Sequence, residues 1–299
     1  MVMFRAMGSP CRIVAPTHEL ARYGQELVVE LEATWSRFNP RSEISGVNEQ
    51  AGNLSIVSAV TYELIALAEH ARTATFGVFN PLMLDQLVAL GYDRTWSEVA
   101  GVQGSMVASG SASASIEPIG LYPEISAIRL PAGTRFDPGG IGKGMAGDMV
   151  SAALLEVGAE SVQIELGGDV CVAGSSWTGG PWRVQLDDSD HGAPHPATIT
   201  LAEGGIATSS VVRRRWRRGS VDVHHLIDAR TGRPASTDLD SVTTVAPTLW
   251  WAEVVAKSAV ILGSCSAREL LEQHEMTGVL VGSNPNNPYE LVQRSTVAA

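Results

Sequence analysis

An α+β fold, with a mixed and largely antiparallel sheet flanked by helices, is what this sequence predicts, and three observations carry that reading. Apolar residues recur at helical spacing in four separated stretches, while the second half strings several strand-like segments together. Strands and helices therefore mix without the strict βα alternation of a doubly wound parallel sheet. The chain has 299 residues, 44% hydrophobic and 18% charged, which is enough to bury a substantial core and too apolar for disorder. No internal repeat or linker interrupts it, so residues 1–299 are expected to form a single domain.

The elements follow in order. Residues 10–15 read as a short strand. From Leu20 to Ser36, the positions of Leu27, Val28, Leu31 and Trp35 give one amphipathic helix. Asn39-Pro-Arg-Ser42 is a turn, and Ser42–Asn48 is a polar segment with capping-type residues. A second helix is expected over 59–75, broken by Phe76-Gly-Val-Phe-Asn-Pro81. Residues 101–116, rich in Ser, Gly and Ala, suggest a surface loop or weak hairpin. Residues 125–130 read as a strand that leads into the glycine-rich stretch Phe136–Asp148. After Lys143 a helix carries Met145, Met149, Val150, Ala153 and Leu154 on one face. Ser161–Leu166 alternates like a strand and ends in the turn Gly167-Gly-Asp169. Strands are expected at 182–186, 197–201, 205–209, 221–227 and 241–246. A helix over 250–262 then packs Val254, Val255, Ser258, Ala259 and Ile261, before a last strand at 278–282 and a polar tail over 284–299.

Charge and cysteine usage narrow the function. A formal net charge of −11 argues against general binding to nucleic acid or to an anionic membrane. Cys11, Cys171 and Cys265 are far apart, odd in number and outside any CxxC or Cys/His spacing, which fits a reduced compartment better than a disulfide framework. The first residues lack a signal-peptide pattern, and no run of about 18 apolar residues occurs, so no membrane insertion is expected. The expected location is the cytoplasm.

The richest chemistry lies in Phe136-Asp-Pro-Gly-Gly-Ile-Gly-Lys-Gly-Met-Ala-Gly-Asp148. Glycines let backbone N–H groups approach a ligand, a helix N-terminus favours an anion, and Lys143 adds a full positive charge. A phosphate or pyrophosphate of a nucleotide suits such a loop; a tight turn with a solvated lysine is the simpler alternative. The P-loop template fails, since Asp137 and Gly144 stand where it needs Gly and Ser or Thr. Gly142-Lys-Gly-Met-Ala-Gly147 spells GxGxxG with an acid, Glu165, further on, but no strand leads directly into it.

Other segments add candidate groups. His225 and Asp228 lie beside a turn closed by Thr231-Gly232, where the histidine is a base, a phosphate partner or simply a strand-edge residue. Ala207-Thr-Ser-Ser210 offers three hydroxyls at a strand end. Glu253 and Lys257 stand four residues apart on one helix face, an orientation suited to an exposed ion pair. Arg213-Arg-Arg-Trp-Arg-Arg218 reads as a solvated hairpin tip or a patch for an acidic partner.

Taken together these segments resemble the ApbE family of FAD:protein FMN transferases, in family order. The matching pieces are Met7-Gly8-Ser9, Ser42–Ser45 with Asn48, Gly77–Pro81, Asp137–Gly144 with Asp148, Leu166–Asp169, Ala207–Ser209, His225–Pro234, and Ser241-Val-Thr243 leading into the helix that ends at Leu262-Gly263. They span about residues 5–283. The resemblance implies a single α+β domain that binds FAD and a divalent metal, usually Mg²⁺. It further implies cleavage of the FAD pyrophosphate, transfer of FMN to a Thr or Ser hydroxyl of an acceptor flavoprotein, and release of AMP.

By position, Met7, Phe38, Asn80, Asp137, Lys143, Thr208, the Leu226 backbone and Asp228 are the expected flavin-nucleotide contacts, with Phe38 stacking on the isoalloxazine ring. His225, Lys143 and Lys257 are the expected catalytic groups, His225 by activating the acceptor hydroxyl. Gly140, through its carbonyl, and Glu253 are the expected metal ligands. Three positions depart from the family pattern. The late helix carries Glu253 and Lys257 in place of metal-ligating Asp and Thr, Asn80 replaces an Asp, and Glu165 replaces an Asn. An ammonium cannot ligate Mg²⁺, so either Lys257 stands in for the metal's charge or the site binds flavin without transferring it. The alternatives to FMN transfer are therefore FAD binding alone, FAD pyrophosphatase action, or transfer to another acceptor. A nicotinamide-dependent dehydrogenase, resting only on the GxGxxG spelling, is the reading from a different class.

Overall fold

A computed structural model describes residues 1–99, 117–186, 198–282 and 289–292 of the chain. Its largest feature is an eight-stranded sheet with the spatial order Val2–Ala6, Ser9–Val14, Ser161–Leu166, Asp169–Gly174, Gly204–Ser210, Leu239–Ala246, Thr277–Gly282, Tyr289–Val292. Every neighbouring pair in it is antiparallel. The α+β expectation is met, and the parallel sheet that a dinucleotide-binding dehydrogenase requires is not formed by the described strands.

Among the described residues eight α-helices accompany the sheet: α1 His18–Trp35, α2 Glu43–Glu49, α3 Ala59–Ala74, α4 Leu84–Ala89, α5 Trp96–Val99, α6 Gly142–Glu156, α7 Leu249–Leu262 and α8 Ser264–Gln273. The start of α1 is set by Thr17, whose hydroxyl accepts from the Leu20 N–H at 3.2 Å, satisfying one of the first-turn donors a helix leaves unpaired. Its inward stripe is Ala21, Gly24, Val28, Leu31 and Trp35. Ser42 and Ser58 cap α2 and α3 in the same way. α7 is apolar nearly all round, with ten buried residues, because it lies between α6, α8 and the strands Gly204–Ser210 and Leu239–Ala246.

The close packing of α6 on α7 explains the GxGxxG spelling. A β-carbon on Gly144 would lie 2.4 Å from Trp250 Cα, and one on Gly147 would lie 2.8 Å from a Leu249 methyl. These glycines let two helix backbones touch, which a larger residue would prevent. Asp148, at the end of the same stretch, ties the pair together. Its two carboxylate oxygens accept from the N–H groups of Leu249 (2.8 Å) and Trp250 (2.9 Å), the first turn of α7.

Burial pushes the Asp148 pKa up to about 6, with the two backbone N–H donors opposing it. The folded state therefore holds this proton more tightly than the unfolded chain does. The resulting stability is fully present below the unfolded value near pH 4 and is lost as pH rises through about 6. Urea unfolding should show the free-energy difference between wild type and Asp148→Asn changing by roughly 2–3 kcal/mol between pH 4 and 7. A difference that stays flat over that range would contradict the assignment.

Several elements depart from the sequence expectation. The strands Val2–Ala6 and Asp169–Gly174 and the helices α4, α5 and α8 were not anticipated. The segment expected as one strand over 221–227 is two, Val221–His224 and Ile227–Asp228, which pair with different partners. His224 causes the break: its Nδ1 accepts from the Leu226 N–H at 3.3 Å and its other ring nitrogen lies 3.1 Å from the Ala235 carbonyl. Side-chain capture of backbone groups replaces the ladder there. Ile125 belongs to a 3₁₀ turn, and the following strand is Ala127–Arg129. The loop or hairpin expected over 101–116 lies outside the described residues. Of the expected polar tail, residues 289–292 form an edge strand, and the rest of 284–299 lies outside the described residues.

Candidate active site

The end of α1, the start of α6 and the hairpin Arg215–Arg218/Val221–His224 converge beside α7. Between them is a cleft with about 960 Å³ of empty space, its open mouth included. Six of the predicted residues line it: Met7, Phe38, Asp137, Lys143, His225 and Lys257. Its aromatic wall is made by Trp35, Phe38, Tyr92 and Trp96.

The approach to α6 is held by side chain to backbone bonds. Asn48 Oδ1 accepts from the Phe136 N–H at 2.7 Å, and Asn48 Nδ2 donates to the Phe136 carbonyl at 2.9 Å. The Asp137 N–H donates to the Pro81 carbonyl at 2.7 Å. The loop then folds on itself, with the Ile141 and Gly142 N–H groups both donating to the Pro138 carbonyl. Those two donors and that of Gly144 are consumed internally, so the loop is less free to cradle a phosphate than its glycines suggest.

Asp137 is not a free carboxylate either. Arg37 Nε pairs with its Oδ1 at 3.0 Å, and both side chains are almost wholly buried. The same guanidinium donates to the Tyr92 carbonyl at 3.0 Å and lies 4.2 Å from the Phe38 ring centre and 4.8 Å from that of Tyr92. One arginine thus fixes both the acid of the glycine loop and the aromatic wall.

Lys143 sits in the same situation. Its ammonium bonds Asp169 and, at 2.7 Å, Glu253 Oε1. Burial works against its charge, but the two carboxylates outweigh it and hold the pKa above the ordinary lysine value. Glu253 Oε2 accepts from the Gly144 N–H at 2.8 Å, so an acid of α7 serves as acceptor for the first turn of α6. The Asp169 Oδ1 in turn accepts from the Thr208 N–H at 3.1 Å. Burial raises the Glu253 pKa, with Lys143 opposing. The expected i,i+4 surface pair of Glu253 with Lys257 is not formed: both lie inward, and Glu253 pairs with Lys143.

His225 occupies the kink after Val221–His224. Its Nδ1 is shut off from solvent and has no hydrogen-bond partner. Burial first, then the positive charges of Arg214 and Lys257, hold its pKa well below the ordinary histidine range. It is therefore a neutral imidazole at pH 7, the form a general base requires.

The remaining expected contacts stand off the cleft. Asn80 is buried and its Oδ1 accepts from the Leu82 N–H at 2.9 Å, a turn-forming bond of the kind asparagine favours. Both backbone groups of Leu226 are taken, the N–H by His224 and the carbonyl by the Ala235 N–H. Asp228 is paired with Arg230 at 2.9 Å and caps the following turn. Thr208 is exposed, with its hydroxyl 2.8 Å from that of Thr243. Its link to the cleft runs through Asp169. Glu165, the acid after GxGxxG, pairs across the sheet with Arg12 at 2.8 Å.

Residues unnoticed in the sequence complete the walls. Besides Arg37 and Tyr92 these are Glu32, which accepts from the Met7 N–H at 2.6 Å, Trp96, and Arg214, which donates to Ser9 Oγ at 3.0 Å. Arg214 and Trp216 belong to the basic run that read as a solvated tip. Alternation was the available signal: Arg214 enters the cleft, and Trp216 and Arg218 both donate to the Leu90 carbonyl.

The expected metal site can be tested against these contacts. Both Glu253 oxygens already accept hydrogen bonds. Lys257 crowds Gly140 so closely that a β-carbon there would lie 2.6 Å from Nζ. Among the described residues no three His, Cys, Asp or Glu side chains are grouped to hold a metal ion. The Lys257 ammonium stands where an oxygen ligand is expected and the Lys143 ammonium occupies Glu253, so the donor set does not fit a divalent cation.

Comparison with known proteins extends this geometry. The profile of the ApbE family matches residues 7–281. The FAD:protein FMN transferase of Treponema pallidum is 26% identical over 294 residues, covering 89% of this chain and 80% of that protein. The FAD:protein FMN transferase of Haemophilus influenzae is 28% identical over a shorter stretch, 48% of this chain and 42% of that one. Among solved structures, the ApbE protein of Thermotoga maritima superposes with a TM-score of 0.84 at 22% identity, covering 97% and 96% of the two chains. The flavin transferase ApbE from Vibrio cholerae gives 0.78 at 21% identity, covering 99% and 96%.

Proposed function

We propose, from the premise that this chain belongs to the ApbE family, that it is a FAD:protein FMN transferase. The observation that carries the reading is the single cleft that joins an aromatic wall, a buried cluster of cations and a neutral histidine. Phosphoryl transfer depends on position and charge neutralisation more than on covalent chemistry by the protein, and those are the functions these groups supply.

In this reading Phe38 and Met7 flank the isoalloxazine, and the diphosphate lies toward Lys143, Lys257 and Arg214. The hydroxyl of a Thr or Ser on an acceptor flavoprotein attacks the phosphorus on the riboflavin side. The bond from that phosphorus to the bridging oxygen breaks, AMP leaves with the electron pair, and the hydroxyl proton passes to His225. The ion triad Asp169–Lys143–Glu253 holds α6 against α7 and so fixes the walls between which the diphosphate lies. Asp137 acts through Arg37, which sets the aromatic wall, and Thr208 acts through Asp169. No step depends on a metal ion.

The eight-stranded sheet draws strands from Val2 through Val292, which supports treating the chain as one working unit. No helix among the described residues is long and apolar enough to cross a membrane. The three cysteines are free thiols, which supports a cytoplasmic setting.

The test is incubation with FAD and an acceptor flavoprotein, followed by chromatography for AMP and in-gel flavin fluorescence of the acceptor. AMP release in step with a fluorescent acceptor band is the expected result. AMP and FMN in solution with an unlabelled acceptor would replace transfer with hydrolysis, and no AMP at all would replace it with binding.

A further inference from the structure

We propose that the Lys257 ammonium is the built-in counter-charge for the diphosphate of FAD, so that this chain binds FAD without a divalent cation. The inference rests on the FMN-transfer reading for the identity of the ligand, and on four observations for the role of the lysine.

First, Lys143 is already committed. Its ammonium is bonded to Asp169 and Glu253, and moving it toward a ligand would leave two buried carboxylates unpaired. Secondly, Lys257 lines the cleft and makes no hydrogen bond to a described residue; its Nζ lies 5.4 Å from the centre of the Phe79 ring. An ammonium with three unused donors beside a cleft is where an incoming anion gains most.

Thirdly, the glycine loop makes room for that side chain. A β-carbon at Gly140 would lie 2.6 Å from Lys257 Nζ and 2.9 Å from its Cδ, so any larger residue would push the lysine out of its path. Fourthly, the local charges are balanced before a ligand arrives. Asp169 and Glu253 are both bonded by Lys143, Asp137 is paired with Arg37, and the charge of Lys257 is set against those of Asp137 and Glu253 without an ion pair to either. No net negative charge remains to draw in a dication. A diphosphate, by contrast, meets Lys257 with Arg214 beside it on the same cleft.

The experiment is titration with FAD, followed by flavin fluorescence, in buffer with EDTA and in buffer with Mg²⁺. Wild-type affinity is expected to agree within about twofold between the two buffers, a difference well under 1 kcal/mol. Lys257→Gln, which keeps a polar side chain but removes the charge, should weaken FAD binding by about 10–100-fold, the scale of one charge-assisted hydrogen bond. Its affinity for riboflavin, which has no phosphate, should match that of wild type.

Two results would overturn the proposal and leave the family activity standing: FAD binding by the wild type that collapses in EDTA and returns with Mg²⁺, or a Lys257→Gln loss equally large for riboflavin. Failure of FAD to bind in either buffer would instead bring down the FMN-transfer reading and this inference together.

Discussion

Replacing Lys143 with methionine is expected to cost the protein about 3–5 kcal/mol of stability, the penalty for removing one partner of a buried ion pair. The size follows from what would be left behind. Asp169 and Glu253 have side chains 6% exposed, and without the ammonium two carboxylates would face each other in a site of low dielectric. Glu253 would keep only the Gly144 N–H and Asp169 only the Thr208 N–H. Urea denaturation should show the midpoint falling with little change in slope. Adding Glu253→Gln to the variant should recover part of the loss, because one of the stranded charges is then gone. A loss below about 1 kcal/mol, the range of an exposed pair, would show that the triad is solvated and does not lock α6 onto α7.

His225→Gln is expected to lower the rate of FMN transfer by about 100–10,000-fold, the usual worth of a positioned general base, while FAD affinity changes little. The variant keeps a polar side chain of similar reach, so a fall in rate with unchanged affinity separates proton transfer from packing. The pH profile adds a second check. Burial and the cations Arg214 and Lys257 favour neutral imidazole, so transfer should persist as pH falls through 6.5 and fail only at a lower value. A rate that titrated at or above pH 6.5 would assign the proton to a different group. The same shift has a stability consequence of fixed sign. A histidine whose folded pKa is depressed contributes stability at neutral pH and loses it as pH falls, since the unfolded chain takes up the proton first.

Much of the architecture could be read locally. Helices α1, α3, α6 and α7 follow from apolar spacing, and the capping hydroxyls Thr17, Ser42 and Ser58 stand where first-turn N–H groups need acceptors. The strands that were missed have local reasons. Val2–Ala6 and the Tyr289–Val292 edge are short terminal pieces, and Asp169–Gly174 follows a glycine turn so closely that it reads as part of that turn. His224 divides a continuous β-like run by bonding to backbone, an event that composition does not signal.

The residues of the cleft divide along the same line. Met7, Phe38, Asp137, Lys143, His225 and Lys257 carry recognisable chemistry in recognisable neighbourhoods, and the fold brings all six to one cleft. Their roles do not follow from those neighbourhoods. Lys143 resembles a phosphate ligand in its loop, yet its partners lie 26 and 110 residues away. Glu253 and Lys257 resemble an exposed i,i+4 pair, yet Glu253 is buried against Lys143 and Lys257 faces the cleft.

The order of residues along this chain is sufficient for its class of fold, its family and six of the groups that line the cleft, because periodicity and motif are properties of neighbours. Which cation is paired within the protein and which is left facing the cleft is a matter of charges meeting across helices, at distances of a few ångströms that no spacing along the backbone specifies. Electrostatic energy depends on separation and burial in space, and for Lys143 and Lys257 both were set by the packing of α6 against α7.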